Sequence, residues 1–116
     1  MRFTKKDGIY KIILQSGARN NILGVTFNGK NKSDNNIEVI EWDFPNSDRS
    51  KIRTSKEEVL EQVLSGLEYI NNSLGTNYKL SKIYFSPFDT SKDRVYTGLL
   101  AILIRHYNSG NEFKEV

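Results

Sequence analysis

From Thr54 to Gly75 the chain admits one local structure. Thr54 stands three residues before Glu57 and Ser55 three before Glu58, so either pair can close a capping box in which hydroxyl and carboxylate each take up a backbone N–H. Val59, Leu60, Val63, Leu64, Leu67 and Ile70 follow at the three-and-four spacing of one helical stripe, while Glu57, Glu58, Glu61 and Glu68 lie mostly off it. Carboxylates in a first turn also suit the positive end of the helix dipole. The pattern weakens through Asn71-Asn72-Ser73 and stops at Gly75. Such a helix has to lay its stripe on another layer, and the rest of the chain supplies strands for it.

The run Gly8 to Gln15 is rich in β-branched and aromatic residues and precedes a turn-forming stretch, Ser16 to Asn21. Ile22 to Phe27 reads as a second strand with Leu23, Val25 and Phe27 on one face. Ile37 to Phe44 alternates as a third, with Ile40, Trp42 and Phe44 expected in the core and Val39, Glu41 and Asp43 opposite. Short loops make these three an antiparallel meander. After the helix, Lys79 to Ser86 gives a fourth strand with Ile83 and Phe85 facing the core, closed by Pro87. Thr90 or Ser91 caps a last helix whose Val95, Tyr96, Leu99, Leu100, Ile102, Leu103 and Tyr107 form a wide apolar surface. The expected fold is one α+β domain over residues 1–116: a mostly antiparallel sheet of about four or five strands, two helices packed on one face, order βββαβα. Val59, Leu60, Val63, Leu64 and Leu67 should meet the sheet together with Leu99, Leu100 and Leu103.

A chain of 116 residues fits one average domain. It has no cysteine, which removes disulfides, thiolate metal sites and thiol nucleophiles. The basic start Met1 to Lys6 runs into Asp7-Gly8, and the apolar run behind it is short and broken by Lys11, so no export signal is expected. The longest apolar run, Leu99 to Ile104, is far below the roughly 20 residues of a membrane span. The expectation is a soluble, cytoplasmic chain with no membrane partner.

Chemistry is thinly represented. His106 is the only histidine; it falls in the last turn of a predicted helix, where a cation complements the dipole. Asp89 and Asp93 flank Ser91 and could bring carboxylates to a Mg²⁺ ion or a hydrolytic site, but caps and first-turn acids are expected at this position in any helix, and that structural reading is favoured. Ser86 and Ser91 have no base nearby and no nucleophile-elbow glycines. Gly24, Gly29, Gly66 and Gly98 stand alone, so no phosphate loop exists, and the two within helices should permit close packing. No catalytic residue, metal site or cofactor is expected.

Lys and Arg total 17 against 14 Asp and Glu, a formal charge of +3. Lys5-Lys6 and the Arg49, Lys51, Arg53, Lys56 group are the densest basic clusters. A nucleic-acid track needs exposed aromatics among its cations, and here the aromatics fall mostly on presumed core faces, which argues against nucleic acid. Asp34, Glu38, Glu41, Asp43 and Asp48 are the candidate partner-binding residues, an acidic ridge along the third strand that could meet a basic protein. Protection of an exposed sheet edge explains the same charges.

The segment Lys82-Ile83-Tyr84-Phe85-Ser86-Pro87-Phe88-Asp89, with Arg94-Val95-Tyr96 and Leu103-Ile104-Arg105-His106-Tyr107, resembles the immunity proteins of bacterial contact-dependent growth inhibition and related polymorphic toxin systems. That resemblance implies a specific neutraliser of one cognate toxin domain, often a nuclease, acting by protein–protein contact. A small nucleic-acid-binding or phage-type accessory protein is the alternative. The location of charge separates the two: a coherent positive surface with exposed aromatics points to nucleic acid, an acidic or concave one to a toxin.

Overall fold

The computed structural model describes residues 1–16, 19–28, 37–42 and 48–116. Among these residues six strands and two α-helices follow in the order β1 (Arg2–Lys6), β2 (Ile9–Ser16), β3 (Arg19–Phe27), β4 (Glu38–Glu41), α1 (Lys56–Leu74), β5 (Leu80–Phe85), α2 (Val95–Asn108) and β6 (Lys114–Glu115). The expected α+β architecture is present, with one more strand at each end of the chain. Asp7 and Gly8 both sit at positive φ, 51° and 78°, and turn β1 back onto β2 so that Lys6 faces Ile9. Two left-handed residues in a two-residue loop match the strand twist of a hairpin.

The sheet order is β4-β5-β3-β2-β1-β6. A meander would have placed β4 beside β3; instead β5 lies between them, antiparallel to β3 and parallel to β4. The reason is α1, which carries the chain from the end of β4 back to the start of β5, and parallel neighbours need such a crossover. β6 joins the far edge, parallel to β1.

Both helices pack on one face. Ile12, Leu23, Val25, Ile83 and Phe85 of the sheet close with Val59, Val63 and Ile70 of α1 and with Tyr96, Leu99, Leu100, Leu103 and Ile104 of α2. α1 begins at a capping box, Ser55 with Glu58 rather than Thr54 with Glu57, and ends at Gly75 in the left-handed region, φ 68°. Its buried stripe is Val59, Gln62, Val63, Gly66 and Ile70. Leu64, expected in the core, is 42% exposed, with Leu60 and Leu67 only half-buried.

That rotation serves α2. A Cβ on Gly66 would lie 2.5 Å from the Thr97 carbonyl oxygen, so the bare glycine lets the helices touch backbone to backbone. Thr97 Oγ1 donates to the Gln62 carbonyl at 2.9 Å. α2 starts at Val95 behind a short 3₁₀ turn, Lys92–Arg94, without a side-chain cap of its own. Neither Thr90 nor Ser91 caps it; Gln62 Oε1 accepts from the Tyr96 N–H at 3.1 Å, which supplies the missing partner across the helix pair. On α2, Ile102 is exposed and Ile104 buried, and Gly98 faces open space rather than a close neighbour.

Candidate functional site

The acidic residues expected to form a ridge do not assemble. Asp34 and Asp43 lie outside the described residues. Val39 pairs with Ile83 and packs on the core, whereas Ile40 pairs with Tyr84, so the two faces of β4 are reversed from the expectation. Glu41 therefore points to the helix side, where Arg49 holds it at 3.3 Å and leaves 25% of its side chain exposed. Glu38 is exposed on the other face. Asp48 accepts from the Ser50 hydroxyl at 2.7 Å and the Ser50 N–H at 3.0 Å, bonds that hold its carboxyl below the ordinary aspartate value.

Reversing β4 brings out its aromatic. The Trp42 N–H donates to the Phe85 carbonyl at 2.9 Å, continuing the β4 ladder by one bond. Its indole reaches across β5 to β3, where Gly24 has no side chain: a Cβ there would meet Ile9 Cγ2 at 3.2 Å, Trp42 Cζ2 at 3.3 Å and Tyr84 Cβ at 3.3 Å. The indole lies nearly parallel to Tyr84, centroids 6.0 Å apart, and the Lys11 ammonium stands 5.2 Å from its centre. Half-buried Ile9, Ile13, Ile22 and Ile40 share this face by strand register.

Register also sorts the charges. Thr4 pairs with Lys11 and Lys114, Ile13 with Arg2, Ile9 with Lys6, and Lys82 with Thr26 and Glu38. The face that no described helix covers, called the uncovered face below, thus carries Arg2, Lys6, Lys11, Lys82 and Lys114, against Glu38 alone among its described strand residues. Clusters that look scattered in sequence are neighbours here.

Across the helix layer, α1 itself carries mainly the other sign, with Lys56 its one cation. Leu60, Leu64 and Leu67 rise in line along α1 at i, i+4, i+7, and Glu57, Glu61 and Glu68 run alongside. Glu61 accepts from Arg94 at 2.9 Å. Tyr69, 60% exposed, stands on the flank of the same helix.

Asp89 is held by hydrogen bonds to two other parts of the chain. Its Oδ2 accepts from the Ile22 N–H at 3.2 Å and its carbonyl from Thr54 Oγ1 at 2.5 Å, which ties the β5–α2 connection to β3 and to the start of α1. Burial raises its pKa; the Ile22 bond and the Arg53 charge oppose that rise without cancelling it. Next to it, burial pushes the Tyr96 phenol to about 12, with Asn21 and Thr54 acting against that rise and the Asp89 and Glu58 charges adding to it. Neither Tyr96 Oη nor Asn21 Oδ1 completes a hydrogen bond of good geometry among the described residues. Glu58 accepts from the Ser91 hydroxyl at 2.7 Å, and that bond, then the Ser55 N–H, lowers its pKa. These groups pin loops to helices.

His106 is likewise engaged in packing. Its ring stacks on Phe3 at 3.6 Å and meets Phe113 edge-on, and Nε2 donates to the Glu112 carbonyl at 2.7 Å. It anchors the segment that leads into β6. Among the described residues no group of three His, Asp or Glu could hold a metal ion, and no helix is long and apolar enough to cross a membrane.

No known protein family, curated protein or solved structure matches the chain. The signal for the uncovered face was present in the sequence as Trp42 and Tyr84 on alternating strands with lysines between them. Its reading depended on which face of β4 is buried.

Proposed function

We propose that this chain acts by binding, as the neutralising partner of a bacterial toxin domain. The observation that carries the reading is the α1 ridge. An amphipathic helix with three leucines in line, one of them 42% exposed, and carboxylates alongside is the chemistry of a protein-docking surface for a basic partner. Nucleases that handle a polyanion are basic, so charge complementarity suits a nuclease toxin. The resemblance of the Lys82 to Asp89 segment to immunity proteins points the same way, and the acidic docking surface moves from the third strand to α1.

The test is co-expression with the product of the adjacent upstream reading frame. Growth arrest by that product alone, relieved by this chain, is the expected result. Leu64→Asp combined with Glu68→Lys should abolish the relief while leaving the thermal midpoint within a few degrees. A neighbouring product that neither arrests growth nor binds this chain overturns the reading.

A further inference from the structure

We propose that the uncovered sheet face is a binding site for single-stranded nucleic acid. This stands independently of the α1 ridge, which lies on the far side of the helix layer. A polyanion is called for by the charge: Arg2, Lys6, Lys11, Lys82 and Lys114 share the face with Glu38 as the one carboxylate on its described strands. Lys82 on β5 and the cations of β1 are three strand spacings apart, about 14 Å, so an extended backbone crossing the strands meets positive charge along its path.

Unpaired bases are called for by the centre of that path. Trp42 lies over Gly24 beside Tyr84, both half-buried, and together they offer flat apolar surface within a ring of cations. Base–aromatic stacking needs bases whose faces are free, which a duplex does not present. An acidic protein would match the charge, but carboxylate side chains bring no flat surface to these rings. Lys11 occupies the neighbourhood of the indole at 5.2 Å, and its four-carbon stem lets the ammonium turn outward to a phosphate as a base arrives. Isoleucines 9, 13, 22 and 40 complete a floor that needs no base-specific contact, so the site reads single-strandedness rather than sequence.

Trp42 is the chain's only tryptophan, so its fluorescence reports on the face directly. The full chain is titrated with oligothymidylate and oligouridylate of about 15 nucleotides, a duplex of similar length and poly-L-glutamate. Single strands should quench the emission, and affinity should fall about 50-fold between about 50 and 200 mM salt if four phosphates are neutralised. By anisotropy of labelled oligothymidylate, Lys11→Glu with Lys82→Glu should weaken binding at least about tenfold and flatten the salt dependence, and Tyr84→Ala should weaken it about tenfold. Circular dichroism and the thermal midpoint confirm that the variants fold. No quenching by either single strand at low salt overturns the proposal, as does binding that the double variant leaves unchanged. Tighter binding of the duplex overturns it in favour of a backbone-only contact, and equal binding of poly-L-glutamate in favour of an acidic protein partner.

Discussion

The two faces of this sheet are made from alternate residues of the same strands, yet they follow different rules. On the helix-covered face Ile12, Leu23, Val25, Ile83 and Phe85 are sealed by α1 and α2. On the uncovered face Trp42, Tyr84 and several isoleucines stay half-buried among lysines. Glycine shows the contrast at atomic scale. Gly66 admits the backbone of a neighbouring helix, while Gly24 admits the side chains of Ile9, Trp42 and Tyr84. The covered face sets stability, and the uncovered one keeps aromatic, apolar and basic side chains at the surface.

The largest effect should come from the covered side. Leu100→Ala removes a fully buried side chain and should lower the unfolding free energy by about 2–5 kcal/mol. Leu64→Ala, at a position 42% exposed, should cost about half a kcal/mol or less. Urea denaturation of both variants measures the difference, and equal losses would break the distinction between the layer and its outer surface.

The two glycines sharpen the comparison at intermediate size. In Gly66→Ala the new carbon meets the Thr97 backbone, so the helices must part, at a cost of about 1–3 kcal/mol even after alanine's roughly 1 kcal/mol advantage in a helix. In Gly24→Ala the contacts at 3.2 and 3.3 Å fall on Ile9, Trp42 and Tyr84, and the indole can lift away into solvent. A loss below about 1 kcal/mol with red-shifted tryptophan emission is expected. A loss as large as that of Gly66→Ala would mean that the uncovered face is as rigid as the core.

The smallest effect lies at the junction of the two faces, where Asp89 accepts from the Ile22 N–H. Asparagine keeps an acceptor and removes a partly buried charge, so Asp89→Asn should be neutral or slightly stabilising at pH 7, whereas Asp89→Ala should cost about 1 kcal/mol. The pH dependence has a definite sign. The folded pKa of Asp89 is raised above 3.8, so as pH falls the folded state binds the proton first and the wild type gains stability relative to Asp89→Asn. Glu58 behaves oppositely: its lowered pKa gives stability above 4.5 that is lost on acidification, and it cancels in the difference between the two chains. Thermal unfolding from pH 7 to pH 4 checks this. A widening advantage of the asparagine variant towards acid would show that the carboxylate is held by its bonds more than it is penalised by burial.

Most of the elements were legible because their signals are local. The box at Ser55 and Glu58, the stop at Gly75 and the alternation of Leu23, Val25 and Phe27 each involve residues within one turn or one strand. β1 was missed although Asp7-Gly8 is a dipeptide typical of a tight hairpin, because the charges of Arg2, Lys5 and Lys6 masked the strand. β6, two residues long, carries no pattern of its own. The faces of β4 were misread because both sets of residues include apolar side chains, and size favoured Ile40 and Trp42 over Val39. At a sheet edge one valine is enough to meet the helix layer.

The sequence by itself determined two amphipathic helices, the main strands, the cap and stop of α1, and the absence of cysteine chemistry. These depend on hydrogen bonds and periodicities that span a few residues, so composition and spacing are sufficient to specify them. Only the tertiary structure decided that β5 separates β3 from β4, that Gln62 caps α2, that Leu64 faces outward and that Arg2, Lys11, Lys82 and Lys114 meet on one surface. Each of these joins residues far apart in the chain, and the choice among alternatives rests on how two layers close over one core. Packing of half-buried Val39 on the core turns Trp42 the other way, and with it the chemistry of the uncovered face.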